Sequence, residues 1–77
     1  MRFRYGVPMR AEIRISVVDL QGREVALLAD RAHPAGWYWA DWNGEADRGR
    51  GPAPAGVYFV RLQAEGRRLV QRFALIR

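Results

Sequence analysis

Gly56-Val57-Tyr58-Phe59-Val60-Arg61-Leu62-Gln63-Ala64 carries apolar residues on both of its alternating faces. It follows Pro52-Ala53-Pro54-Ala55 and closes on Glu65-Gly66, so Pro and Gly punctuate both of its ends. Val, Tyr and Phe suit a pleated surface, and the run reads as a strand. Tyr58, Val60 and Leu62 then share one face, and Val57, Phe59 and Arg61 the other. Apolar residues on most of both faces place such a strand in the middle of its sheet, with Tyr58, Val60 and Leu62 in the core.

Downstream, Glu65-Gly66-Arg67 reads as a tight turn, and Arg68 to Ile76 as the last strand, paired with the central one. Upstream lies a polar loop, Asn43 to Ala55, preceded by a strand over Trp37 to Trp42 whose two faces compete. Tyr38, Ala40 and Trp42 carry no charge and are expected inside; Trp37, Trp39 and Asp41 are expected outside. Met1 to Val7 reads as a first strand, with Phe3 and Tyr5 opposite Arg2 and Arg4, and Pro8 ends it. Ala11 to Val18 alternates: Ala11, Ile13, Ile15 and Val17 are expected to face inward, Glu12, Arg14 and Ser16 outward. Asp19-Leu20-Gln21-Gly22 is a turn, in which Asp bonds the backbone two residues on and Gly accepts positive φ. Arg23 to Ala29 returns as the second arm of a hairpin; its Glu, Ala and Leu also favour a short helix, but the tight turn argues for a strand, and Asp30 to Gly36 connects it to the next one. Short strands at even spacing, with no internal repeat and no domain boundary, predict one all-β domain over residues 1–77: a small antiparallel sandwich of about six to seven strands.

The chain has 77 residues and no Cys, so its stability must come from packing, in which three Trp, three Tyr and three Phe are available. The formal charge of +5 is carried by 13 Arg, without Lys. Apart from Arg67-Arg68 these are dispersed along the strands, which argues for solvated strand faces over a phosphate-binding stripe, so nucleic acid is not an expected partner. No run approaches the ~18 apolar residues of a membrane helix, so no membrane span is predicted. Met1-Arg2-Phe3-Arg4-Tyr5-Gly6 is basic but leads into no apolar segment of a signal peptide; an exported domain of this kind would travel within a longer chain.

Residues that could carry chemistry are sparse. Ser16 lies in mid-strand, without the sharp turn that exposes a nucleophile. His33 is the only His, beside Pro34, with no positioned nucleophile or metal-ligating partner nearby in sequence. Asp41, Asn43, Glu45 and Asp47 space oxygen atoms two residues apart, as a calcium loop begins. Yet Ala46 stands where an EF-hand needs Gly, and Pro52 where it needs the bidentate Glu. A turn built on Asn43-Gly44 and on Asp47-Arg48-Gly49 explains the same pattern, so neither metal nor cofactor is expected, nor catalysis. Trp37 and Trp39, if they face outward, form an aromatic surface that can stack a sugar ring or dock a partner. Alternatively they are shielded by long Arg stems such as Arg61 or Arg72.

The order of these motifs carries a resemblance. Arg4-Tyr5-Gly6-Val7-Pro8 precedes an alternating strand that enters Val18-Asp19-Leu20-Gln21-Gly22-Arg23. Ala35-Gly36, Trp42-Asn43-Gly44 and Asp47-Arg48-Gly49 follow, then Ala55-Gly56-Val57-Tyr58-Phe59-Val60-Arg61-Leu62 and a final basic–apolar strand. This series resembles the type A C-terminal sorting domain carried by cargo of the bacterial type IX secretion system. It equally resembles the Ig-like domain of the flagellar hook-capping protein. The resemblance spans nearly the whole chain; in that family the loop after the Trp often reads Asp-Gly, where this chain has Asn43-Gly44. It implies an Ig-like or fibronectin-III-like sandwich at the C-terminus of a larger secreted or cell-surface protein, recognised by transport machinery. The alternatives are an accessory module that binds a glycan or protein, and a hook-assembly scaffold.

Overall fold

The computed structural model describes all 77 residues as strands and turns, with every strand pair antiparallel. In chain order the strands are β1 (Arg2–Val7), β2 (Ala11–Val18), β3 (Glu24–His33), β4 (Gly36–Asp41), β5 (Glu45–Ala46), β6 (Gly51–Pro52), β7 (Gly56–Ala64) and β8 (Arg67–Leu75). The larger sheet runs β3-β2-β7-β8, which places the Gly56–Ala64 strand between two neighbours; β1 and β4 form a second sheet. The loop expected to be irregular contains the small β5–β6 ladder, so there are eight strands where six to seven were expected.

Side chains from both larger sheets meet in the core. One cluster joins Tyr5, Val7 and Ala40 to Ile13, Ile15 and Val60; the other joins Trp42 and Ala53 to Val17, Ala26 and Tyr58. Leu62, expected in the core, is only half-buried, because it lies toward the β8 side of the sheet, over which no strand of the smaller sheet passes. Trp42 falls just past the end of β4 yet stays buried: its N–H donates to the Met1 carbonyl and its carbonyl accepts from the Met1 amino group, both at 2.7 Å.

Several boundaries differ from the sequence reading. The hairpin arm after Gly22 begins at Glu24 and runs on to His33, leaving Pro34-Ala35 as the whole connection to β4. Two irregularities in the β2–β3 register, at Ile15/Ser16 and at Val17/Val18, break strict alternation. Ser16, expected outside, is fully covered, directly opposite Leu27 and Arg61, and its Oγ has no hydrogen-bond partner. Gly56 has φ of 156° and open space where a Cβ would stand, so backbone conformation, not a close approach, distinguishes it.

The chain does contain a repeat. Pro34-Ala35-Gly36-Trp37-Tyr38 and Pro54-Ala55-Gly56-Val57-Tyr58 open β4 and β7 with the same local device. In each, the Tyr hydroxyl donates to the carbonyl of the Pro four residues earlier, at 2.5 Å. The bond ties the first turn of chain to the strand it feeds, and it satisfies a carbonyl that the sheet does not use.

Candidate functional site

The outward face of the β1–β4 sheet is the most distinctive surface. The register sets Arg2 opposite Asp41, Arg4 opposite Trp39 and Gly6 opposite Trp37, with all six side-chain positions on one face. Trp37 folds across Gly6, where a Cβ would meet its ring at 3.0 Å. The Arg4 guanidinium lies 4.8 Å from the Trp37 ring centre and 5.8 Å from that of Trp39, and the Arg2 guanidinium lies 4.3 Å over Trp39. Arg2 also approaches Asp41 at 3.4 Å. Cation and ring thus alternate along the face, while Trp37 and Trp39 remain 69% and 56% exposed. The stems expected to cover the two Trp were those of Arg61 or Arg72. Those residues instead pair with Ser16, Val70 and Phe59 within the larger sheet, and the Trp neighbours come from β1. Trp37 and Trp39 therefore lie on one sheet, and Arg61 and Arg72 on the other.

Beneath this face His33 is fully buried, with both ring nitrogens engaged. Nδ1 lies 3.1 Å from the Arg31 carbonyl, which can only accept, so Nδ1 carries the hydrogen; in the neutral ring Nε2 accepts from the Tyr5 hydroxyl at 2.7 Å. Tyr38 closes the group, stacked on Tyr5 at 5.5 Å and edge-on to His33 at 4.7 Å. Burial pushes the Tyr5 hydroxyl above its ordinary range; Arg31 draws it partly back and Tyr38 adds to the rise. The sequence places His33 in the connection after Ala29; in the structure it ends β3 facing inward, and its alternation with Arg31 is the local signal of that.

The turn and loop residues have local partners. Asp19 Oδ1 accepts the N–H groups of Gln21 at 3.0 Å and Arg23 at 2.9 Å, and Gly22 completes the turn at φ 83°. Loss of solvation raises the Asp19 carboxyl, but the Arg23 and Gln21 amides and the Arg23 guanidinium outweigh it and hold the group below the usual carboxylate range. Asn43 Oδ1 accepts the Glu45 N–H at 2.9 Å. Asp47 turns to β3, where its carboxylate accepts the Leu27 N–H at 2.7 Å, while its own N–H and the Arg50 guanidinium donate to the Val25 carbonyl at 3.0 Å each. Asp41, Glu45 and Asp47 accordingly do not converge, and no three His, Asp or Glu side chains in the chain do. Arg77, which sequence reading passed over, donates from Nε to the Ala53 carbonyl at 2.8 Å and from Nη2 to the Gly44 carbonyl at 2.6 Å, clamping both ends of the loop.

No protein-family model, no curated protein and no solved structure matches the chain. No helix is long and apolar enough to cross a membrane. The surfaces available to a partner are the Trp–Arg face of β1–β4 and the edge strands, chiefly β8 with its exposed Leu69, Val70, Arg68 and Arg72.

Proposed function

We propose that the chain is a non-catalytic recognition module, an Ig-like β-sandwich that serves as the C-terminal sorting tail of a larger exported bacterial protein and is read by secretion machinery. The observation that carries this reading is the exposure of the last hairpin. β8 is an edge strand, and its Leu69, Val70, Arg68 and Arg72 are presented to solvent on a folded support. The Ig-like assignment is supported by the Tyr58 hydroxyl bond to the Pro54 carbonyl at the start of the central strand, the arrangement of a tyrosine corner in Greek-key sandwiches. The order of the Asp19 turn, Trp42-Asn43-Gly44 and the β7 strand supports the sorting-domain resemblance. The test is a fusion of residues 1–77 to the C-terminus of a periplasm-targeted reporter, in a bacterium with a type IX system. The intact domain carries the reporter to the surface or medium, and a fusion lacking residues 72–77 leaves it in the periplasm. Retention of the intact, folded fusion refutes the reading.

A second reading rests on Trp37 and Trp39, whose exposed rings flank Arg4 on a flat face. A glycan or protein partner stacking there makes the chain an accessory binding module. A glycan array on the intact chain, repeated with Trp37→Ala, separates this reading from sorting.

A further inference from the structure

We propose that the open edge of β1, with the inner face of β8 beneath it, receives an extended segment of a partner protein in which apolar residues alternate with acidic ones. The outer edges of the two sheets are treated differently by the fold. That of β3 is partly covered, because Asp47 and Arg50 occupy the Leu27 N–H and the Val25 carbonyl. That of β1 is bare. Met1 and Trp42 exchange both backbone bonds, and antiparallel alternation then makes Phe3, Tyr5 and Val7 the residues bonded to β4. The N–H and C=O groups of Arg2, Arg4 and Gly6 point the other way, where β1 has no neighbour. A row of unpaired groups on an edge strand is a template for a further strand.

The space beside that edge has an apolar floor. A groove runs between β1 and β8, lined by Phe3, Tyr5, Val60, Leu62, Leu69 and Phe73. It continues past Leu62 and Leu69 toward Val7 and the Glu65-Gly66 turn. Two strands face four, so β8 has no strand above it, and Leu69 is 69% exposed. A strand laid along the six residues of β1 covers about 20 Å and turns every second side chain into this groove.

Charge selects the occupant. The intervening side chains of an added strand stand beside Arg2 and Arg4 on the outward face, where opposite charges in cross-strand pairs are favoured. Arg4, Arg10 and Arg67 border the groove, against Glu65 as the one carboxylate, and none of the three is ion-paired within the chain. A second copy is a poor occupant: its own β1 edge brings Arg2 and Arg4, its β8 edge Arg68 and Arg72, and each copy carries +5. This site does not depend on the sorting reading, and reporter retention in the periplasm leaves it untouched.

The experiment uses the isotopically labelled 77-residue chain and two capped seven-residue peptides, one alternating Val with Glu, the other Val with Lys. With the Val–Glu peptide, amide hydrogen exchange at Arg4 and Gly6 slows about tenfold or more, while Phe3 and Tyr5, already bonded to β4, change little. The Val–Lys peptide binds at least about tenfold more weakly, and Arg4→Glu reverses that preference. Leu69→Glu, at an exposed position, keeps the protection of Phe3 and Tyr5 but weakens Val–Glu binding about tenfold. Unchanged exchange at Arg4 and Gly6 with millimolar Val–Glu peptide overturns the proposal, as does equal binding of the two peptides. Protection of Arg4 and Gly6 that grows with the concentration of the chain alone assigns the edge to a second copy and also overturns it.

Discussion

Trp42→Ala removes the largest side chain of the second core cluster. The ring is 4% exposed, meets Tyr58 and Phe73 edge-on at 5.5 and 5.8 Å, and donates from Nε1 to the Glu45 carbonyl at 2.9 Å. Replacing a buried Trp by Ala costs about 3–5 kcal/mol through lost transfer energy and a cavity. At ~0.05–0.15 kcal/mol per residue, a chain of this length has about 4–12 kcal/mol in all. Trp42→Ala is therefore expected to leave the chain marginal or unfolded without denaturant. Trp42→Phe keeps a ring against Tyr58 but loses the Nε1 bond and part of the volume, for about 1–2 kcal/mol. With a urea slope of about 1 kcal/mol/M for a small domain, the midpoint falls by about 1–2 M. Trp37→Ala removes a ring that is 69% exposed and its contact with Arg4, and costs less than about 1 kcal/mol. Urea melts followed by far-UV circular dichroism rank the three variants. If Trp37→Ala costs as much as Trp42→Ala, the assignment of the inner face of β4 and its extension is wrong.

Gly22→Val places a β-branched residue at φ 83° and is expected to cost more than about 1 kcal/mol in the same melts. An equal midpoint for the variant and the parent refutes the role given to this turn. Tyr5 has its hydroxyl held above the ordinary range by burial, so its contribution is whole below about pH 10 and is lost as pH rises through the folded-state value. Tyr5→Phe therefore flattens that alkaline decline while lowering stability at neutral pH by about 1–3 kcal/mol, since His33 Nε2 loses its partner; an unchanged alkaline slope counts against it. Asp19, held low by backbone N–H groups, acts at the other end: its contribution is whole above about pH 4 and fades as pH falls, and Asp19→Asn is expected to reduce acid sensitivity in a pH series of melts. Asp47→Ala frees the Leu27 amide at the β3 edge, and hydrogen exchange at Leu27 is expected to rise while exchange in β7 is unchanged.

The all-β character is legible in the sequence, because period-two alternation and turn chemistry are local. Ala11 to Val18 reads as a strand from its own side chains, and Asp19 and Gly22 close their turn with atoms at most four residues apart. The central position of Gly56–Ala64 was legible from the apolar residues on most of both its faces. The Pro-Ala-Gly-x-Tyr repeat was also written in the chain, but its meaning depends on a hydroxyl reaching back four residues, which composition does not announce. Tertiary structure alone decided the rest. Ser16 is covered between Leu27 of β3 and Arg61 of β7, and alternation within β2 cannot foresee which side chains of neighbouring strands lie beside it. Arg2 and Arg4, rather than Arg61 and Arg72, lie beside Trp39 and Trp37 because β1 pairs with β4, some 30 to 40 residues away along the chain. His33 meets Tyr5 across 28 positions, and Arg77 reaches Gly44 across 33. Which side chains meet over such separations depends on strand order and on which sheet edge is left uncovered. Those are properties of the packed whole, and no window of the sequence contains them.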